Sequence, residues 1–174
     1  VFSPAEVRSL LDQHTQDTGQ VFSPAVFEKL YAYSGGQPWL TNALAHEIVV
    51  RLLKNDYTLE ITPDLVETAK ERLIEQRQTH LDSLADKVRE ERVRQVLMGI
   101  ITGEAPAFDG WDDAVRYCRD LGIISSGNPI QFANPIYREI ITRILNSGFA
   151  DNINQDVAQT SWYLRPSGAL DMDK

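Results

Sequence analysis

Ser23-Pro24-Ala25-Val26-Phe27-Glu28-Lys29-Leu30-Tyr31-Ala32-Tyr33-Ser34-Gly35-Gly36-Gln37-Pro38-Trp39-Leu40 holds two helix starts and one helix stop in a single short run. Ser before Pro is a start signal, because the hydroxyl can cap a free backbone N–H and Pro fits the first turn, where no N–H is needed. Val26, Phe27 and Leu30, with Tyr31, then fall on one helical face. Gly35-Gly36 supplies a left-handed stop, and Pro38 restarts the chain. From Trp39 to about Leu53 the residues Leu40, Ala43, Leu44, Ile48, Val49 and Leu52 make a wide apolar stripe. This helix is expected at the centre of a bundle, with Glu47 and Arg51 paired at i, i+4 on its solvent side.

The same start device recurs on both sides, at Ser3-Pro4 and Thr62-Pro63. Ser3-Pro4-Ala5-Glu6 has capping-box spacing, and Val7, Leu10, Leu11 and His14 follow as one face that ends near Gly19. After Pro63, Leu65, Val66, Ala69, Leu73 and Ile74 point inward, but the polar run Glu75 to His80 predicts a bend or subdomain boundary before Leu81 and Leu84. Val93, Val96, Leu97, Ile100 and Ile101 define a further face ending at Gly103, and the Gly103 to Gly110 segment reads as a loop. Trp111, Ala114, Val115 and Cys118 mark the next helix, which Gly122 ends.

Two short extended runs, Ile123-Ile124-Ser125 and Ile130-Gln131-Phe132, flank the turn residues Ser126-Gly127-Asn128-Pro129 and predict a β-hairpin. Asn134-Pro135 then caps a last helix with Ile136, Tyr137, Ile140, Ile141, Ile144 and Leu145 inward. The expected fold is therefore mainly α: a helical bundle followed by a winged-helix-like subdomain with one small hairpin. The polar stretch after Ser147 is expected to be a tail leading toward a further domain.

The chain has 174 residues, 43% of them hydrophobic, and a formal charge of −8. So acidic a body repels the phosphate backbone that dominates non-specific DNA binding. The single cysteine, Cys118, rules out an internal disulfide framework and points to a reducing, cytoplasmic compartment. No apolar run approaches the roughly 20 residues of a membrane span. The opening Val1-Phe2-Ser3-Pro4 reads as the start of a helix inside a longer protein.

Catalytic constellations do not assemble. There is no GxxxxGK[ST] phosphate loop and no GxSxG elbow, and His14, His46 and His80 lie far apart with no partner at metal-ligand spacing. His14, on an apolar face, reads as a hydrogen-bonded boundary imidazole. Asp112 and Asp113 suit the positive end of a helix better than acid/base work. The run Lys87 to Arg94 alternates in sign, as a solvated helical face does. For duplex DNA the helix after Asp112 offers outward donors at Arg116 and Arg119, and the wing turn with Asn128 carries no basic residue. Asp112, Arg116, Arg119 and Asn128 are thus a possible interaction face, with DNA as the less favoured partner.

Gly19-Gln20-Val21-Phe22, Gly36-Gln37-Pro38-Trp39-Leu40-Thr41-Asn42-Ala43-Leu44-Ala45, Asp120-Leu121-Gly122-Ile123-Ile124 and Ala133-Asn134-Pro135-Ile136-Tyr137 together resemble the C-terminal region of a family of predicted bacterial AAA-like ATPases. That family is related to the signal-transduction ATPases with numerous domains. The resemblance covers about residues 1 to 147. It implies a helical lid subdomain over 1 to 60, a winged-helix-like subdomain over 61 to 147, and an upstream P-loop domain that binds ATP and magnesium. By the same resemblance, Gly36, Gln37, Pro38 and Trp39 would be the edge that faces nucleotide, which suits a helix N-terminus. The chain would then be a non-catalytic regulatory module that relays nucleotide state to an adjoining domain or protein partner.

Overall fold

The computed structural model describes residues 1–76, 79–104 and 112–146. Most of the expected Gly103 to Gly110 loop, Trp111 and the tail from 148 to 174 lie outside these residues. Among the described residues eight helical segments account for nearly all regular structure: α1 (Pro4–Thr18), α2 (Pro24–Ser34), α3 (Pro38–His46, continuing as a π-helical turn over Glu47–Leu52), α4 (Pro63–Glu75), α5 (Thr79–Arg89), α6 (Glu91–Thr102), α7 (Asp113–Asp120) and α8 (residues 135–146). The protein is mainly helical. No helix among the described residues is long and apolar enough to cross a membrane.

Helix starts follow the expected residues, but their chemistry differs. At α1 the capping box is complete: Ser3 Oγ accepts from the Glu6 N–H at 3.3 Å and Glu6 Oε2 accepts from the Ser3 N–H at 2.8 Å. Ser23 and Thr62 make no side-chain cap, and the Ser23 hydroxyl is buried with no partner among the described residues. A backbone pairing takes precedence there. Phe22 and Ile61 form a parallel bridge, with the Ser23 N–H donating to the Ile61 carbonyl at 3.0 Å and the Ile61 N–H to the Val21 carbonyl at 2.9 Å.

α3 is the centre of the bundle. Leu40, Leu44 and Ile48 are fully buried, each contributing about 1.5–3 kcal/mol of apolar transfer free energy. α2 packs on α1, α3 and α4, and α4 packs on α3 and its π-helical extension. Thus α4, which follows the expected boundary near residue 60, lies against the first bundle.

Three expectations are corrected within these helices. Glu47 does not pair with Arg51 on the solvent side; it is 1% exposed and accepts from Arg72 Nε of α4 at 2.6 Å. Glu47 lies three residues after Leu44 and seven after Leu40, so helical spacing puts it on the buried face, and the π turn, marked by the Leu53 N–H donating to the Ile48 carbonyl, begins there. Lys87 to Arg94 is not one helical face, since Glu90 is extended (ψ 125°) and separates α5 from α6. Ile101 is exposed rather than inward. α4 ends at Glu75 and α5 begins at Thr79, and residues 77 and 78 of the polar run lie outside the described residues.

α5 packs on α6, and α6 on α7. Between α7 and α8 the expected hairpin is reduced to one antiparallel bridge, Ile124 with Phe132. Two backbone bonds support it: Ser125 N–H to Gln131 carbonyl at 2.8 Å and Ala133 N–H to Ile123 carbonyl at 2.9 Å. Gly122, at positive φ, ends one arm and the Asn134 helix cap ends the other, so neither arm can extend into a strand. Ile136, Tyr137, Ile140, Ile141 and Leu145 of α8 complete a hydrophobic core continuous from Val7 to the end of α8.

Candidate functional site

The turn between α2 and α3 carries the four residues singled out by the resemblance. Gly35 is the left-handed cap of α2 (φ +57°), its N–H donating to the Tyr31 carbonyl at 2.8 Å. Gly36 follows at φ +72° and is buried, with its N–H donating to Ser34 Oγ at 3.1 Å. Gln37 caps α3 through its backbone, and Gln37, Pro38 and Trp39 are half-buried.

Both glycines are required by what touches them. A Cβ on Gly36 would lie 2.1 Å from the Phe2 carbonyl oxygen, and one on Gly35 would lie 2.8 Å from the Ala133 carbonyl oxygen and 3.2 Å from Asn134 Cβ. The Phe2 N–H also donates to the Gly36 carbonyl at 2.7 Å. Gln37 Nε2 donates to the Tyr137 hydroxyl at 3.2 Å and lies 3.7 Å from the Cβ position of Gly122. Two segments far apart in sequence therefore meet on one turn: residue 2 on Gly36, and the α7–α8 segment on Gly35 and Gln37.

This arrangement is a joint rather than an open cradle. The free end of a helix suits an anion. Here, however, the glycine faces are filled by protein backbone, and a nucleotide approaching Gly36 would have to displace Phe2. As folded, the Gly36 face is occupied by Phe2 and leaves no room there for a nucleotide.

The second group does not converge on a single point. Asp112 Oδ1 accepts from the Ala114 and Val115 N–H groups at 2.8 and 3.1 Å, capping α7. Arg116 is exposed and paired with Asp113 at 2.6 Å. Arg119 is turned to the α7–α8 connection, where its Nε donates to the Ser125 carbonyl at 3.3 Å and a terminal nitrogen to the Gly127 carbonyl at 3.4 Å. It braces the turn that carries Asn128, which is exposed. Of the two outward donors expected on α7, one is thus engaged by local backbone.

Other polar clusters were not legible from spacing, because their members come from different helices. Glu67 of α4 accepts from Lys70, Lys29 and the Tyr33 hydroxyl, and Lys70 also approaches Glu71 at 2.7 Å and Glu139 of α8 at 3.9 Å. Hydrogen bonds from Lys70, Tyr33 and Lys29 hold the Glu67 carboxyl down at about 2. On α5–α7, Glu90 accepts from Lys87 at 2.8 Å and from Arg92 at 3.1 Å, while the Arg92 guanidinium stacks 3.5 Å over the Tyr117 ring. Gln20, fully buried, meets His14 Nε2 at 2.9 Å and donates to the Asp56 and Leu59 carbonyls. His14 sits at the boundary between the Phe22 and Tyr57 rings. Cys118 is buried, and burial pushes its thiol up to about 11.

Among the described residues no three His, Cys, Asp or Glu side chains group to hold a metal ion. The polar clusters described above are ion pairs, hydrogen bonds between helices and helix caps. In comparisons with known proteins, no family model, no curated protein and no solved structure matches the chain.

Proposed function

We propose that this chain is a non-catalytic regulatory and interaction module of a bacterial, cytoplasmic P-loop ATPase, with a helical lid followed by a winged-helix-like part. In this reading it senses the state of an upstream ATP- and magnesium-binding core and relays that state to an adjoining domain or protein partner. The observation that carries it is the Gly35–Gln37 joint, where Phe2 and the α7–α8 region bear on one turn. The sequence resemblance over residues 1 to 147 supports the same reading. The helix–bridge–helix order of α7 and α8 supports the winged-helix part.

The test is made in a protein carrying a P-loop core directly before this chain. Removing residues 1–146 should alter ATP turnover or assembly of that protein. Unchanged turnover and unchanged assembly would sink the proposal, as would the absence of a P-loop sequence preceding Val1 in the natural protein. The rival reading, a duplex-DNA module, draws less support, because Arg116 pairs with Asp113 and Arg119 braces the turn. Titration with duplex DNA at low salt decides between them, since DNA binding predicts a signal that falls steeply as salt rises.

A further inference from the structure

Residues 1–3 form a strap across the α2–α3 turn. The Phe2 N–H donates to the Gly36 carbonyl at 2.7 Å, and the Phe2 carbonyl oxygen occupies the place where a side chain on Gly36 would begin, 2.1 Å from the Cβ position. Ser3 is tied into the α1 capping box, and the Phe2 side chain is half-buried against the core. The same turn also bears on the start of α8, through Gly35 against Ala133 and Asn134 and through Gln37 Nε2 to the Tyr137 hydroxyl.

Little in this stack can absorb a shift. Neither glycine has a side chain to re-pack, and both backbones lie at positive φ. Asn134 is buried with its Oδ1 bound to the Tyr137 N–H at 2.8 Å, and Tyr137 is 1% exposed. Closely packed interiors pass displacements on rather than dissipating them.

We propose that the strap is a conformational coupler: release of Phe2 from Gly36 loosens the first turns of α8, and loosening of α8 releases Phe2. The inference rests on the relay reading above for its use, but its mechanism concerns this chain alone. It names the route of the relay: residue 2, then Gly35–Gln37, then Ala133–Tyr137. Reciprocity is a thermodynamic requirement of any such coupling between two sites.

Amide hydrogen exchange read residue by residue by NMR in the full chain tests it. Phe2→Pro removes the donor to Gly36 together with the Phe2 side chain that packs on the core, and Gly36→Ala strikes the same contact from the turn while leaving that side chain in place. Both should speed exchange of the Tyr137, Ile140 and Ile141 amides by about tenfold or more, equivalent to about 1.4 kcal/mol. The Val96 and Leu97 amides of α6 should keep their rates. Tyr137→Phe, which deletes the acceptor of Gln37, should in turn speed exchange at Phe2. Wild-type exchange in α8 with Phe2→Pro would overturn the coupling, as would equal acceleration in α6 and α8, which marks general loss of stability. These outcomes are independent of ATP turnover, so the coupling and the ATPase reading can fail separately.

Discussion

Glu47 and Arg72 form an ion pair that is buried at one end only: the carboxylate is 1% exposed, whereas the Arg72 side chain is 41% exposed and reaches it with Nε at 2.6 Å. The pair joins the π-helical turn after α3 to the last turn of α4. A buried carboxylate that loses its partner keeps its desolvation cost, so the two single substitutions should differ from the double. Arg72→Ala is expected to destabilise by about 1–3 kcal/mol, and Glu47→Gln by less, because a neutral amide is cheaper to bury. Glu47→Leu combined with Arg72→Met should recover most of the loss. Urea unfolding of the four proteins reads all three values.

Acid stability should depend on Glu67. Its pKa is lowered from 4.5 to about 2, first by Lys70 and then by Tyr33 and Lys29. A carboxylate with a depressed folded-state pKa contributes stability that is fully present above its unfolded value and is lost as pH falls through the folded value. Wild-type stability should therefore decline between about pH 4.5 and pH 2 through this group. Glu67→Gln should be less stable at neutral pH and show a shallower decline over that window. An unchanged acid limb in thermal melts of the variant would contradict the assignment.

Cys118 should be inert in the folded protein. The thiol is fully buried on α7 and its pKa is pushed up to about 11, so little thiolate exists at neutral pH and reagent cannot reach it. Labelling by an aromatic disulfide at pH 8 should follow the unfolding equilibrium, rising with denaturant in parallel with loss of helical signal. Rapid labelling in native buffer would place Cys118 elsewhere.

Gln20 should prove more sensitive than its position between two helices suggests. Its amide meets His14 and two backbone carbonyls, Asp56 and Leu59, and so ties the α1–α2 connection to the segment that leads into α4. Gln20→Ala leaves those carbonyls without their donor, with an expected loss of about 1–3 kcal/mol. Gln20→Glu should fare no better, since a carboxylate cannot donate to them. Chemical unfolding of both variants checks the prediction.

Helix positions were legible because their signals are local. Ser3-Pro4, Pro24, Gly35, Pro38, Pro63, Gly103 and Gly122 act through their own backbone preferences, and the apolar spacing of Leu40, Leu44 and Ile48 needs no partner to be read. The break after Glu75 is of the same kind. The break at Glu90 was not, since Lys87 and Arg92 converge on one carboxylate and Tyr117 of α7 lies beneath them. The hairpin at Ile124 was overread for a related reason: turn residues are visible in sequence, but the ladder length depends on where Gly122 and Asn134 end it.

Sequence alone determined that this chain is a mainly helical bundle whose α2–α3 turn needs glycine followed by proline. Tertiary structure decided why two glycines stand there. The left-handed cap of α2 accounts for Gly35, but the approach of Phe2 to Gly36 and of Ala133 to Gly35 joins residues far apart in the chain. No local pattern encodes such a meeting. It arises when the core closes and brings α1, α3 and α8 to one point, and the same closure sets Arg72 of α4 against Glu47.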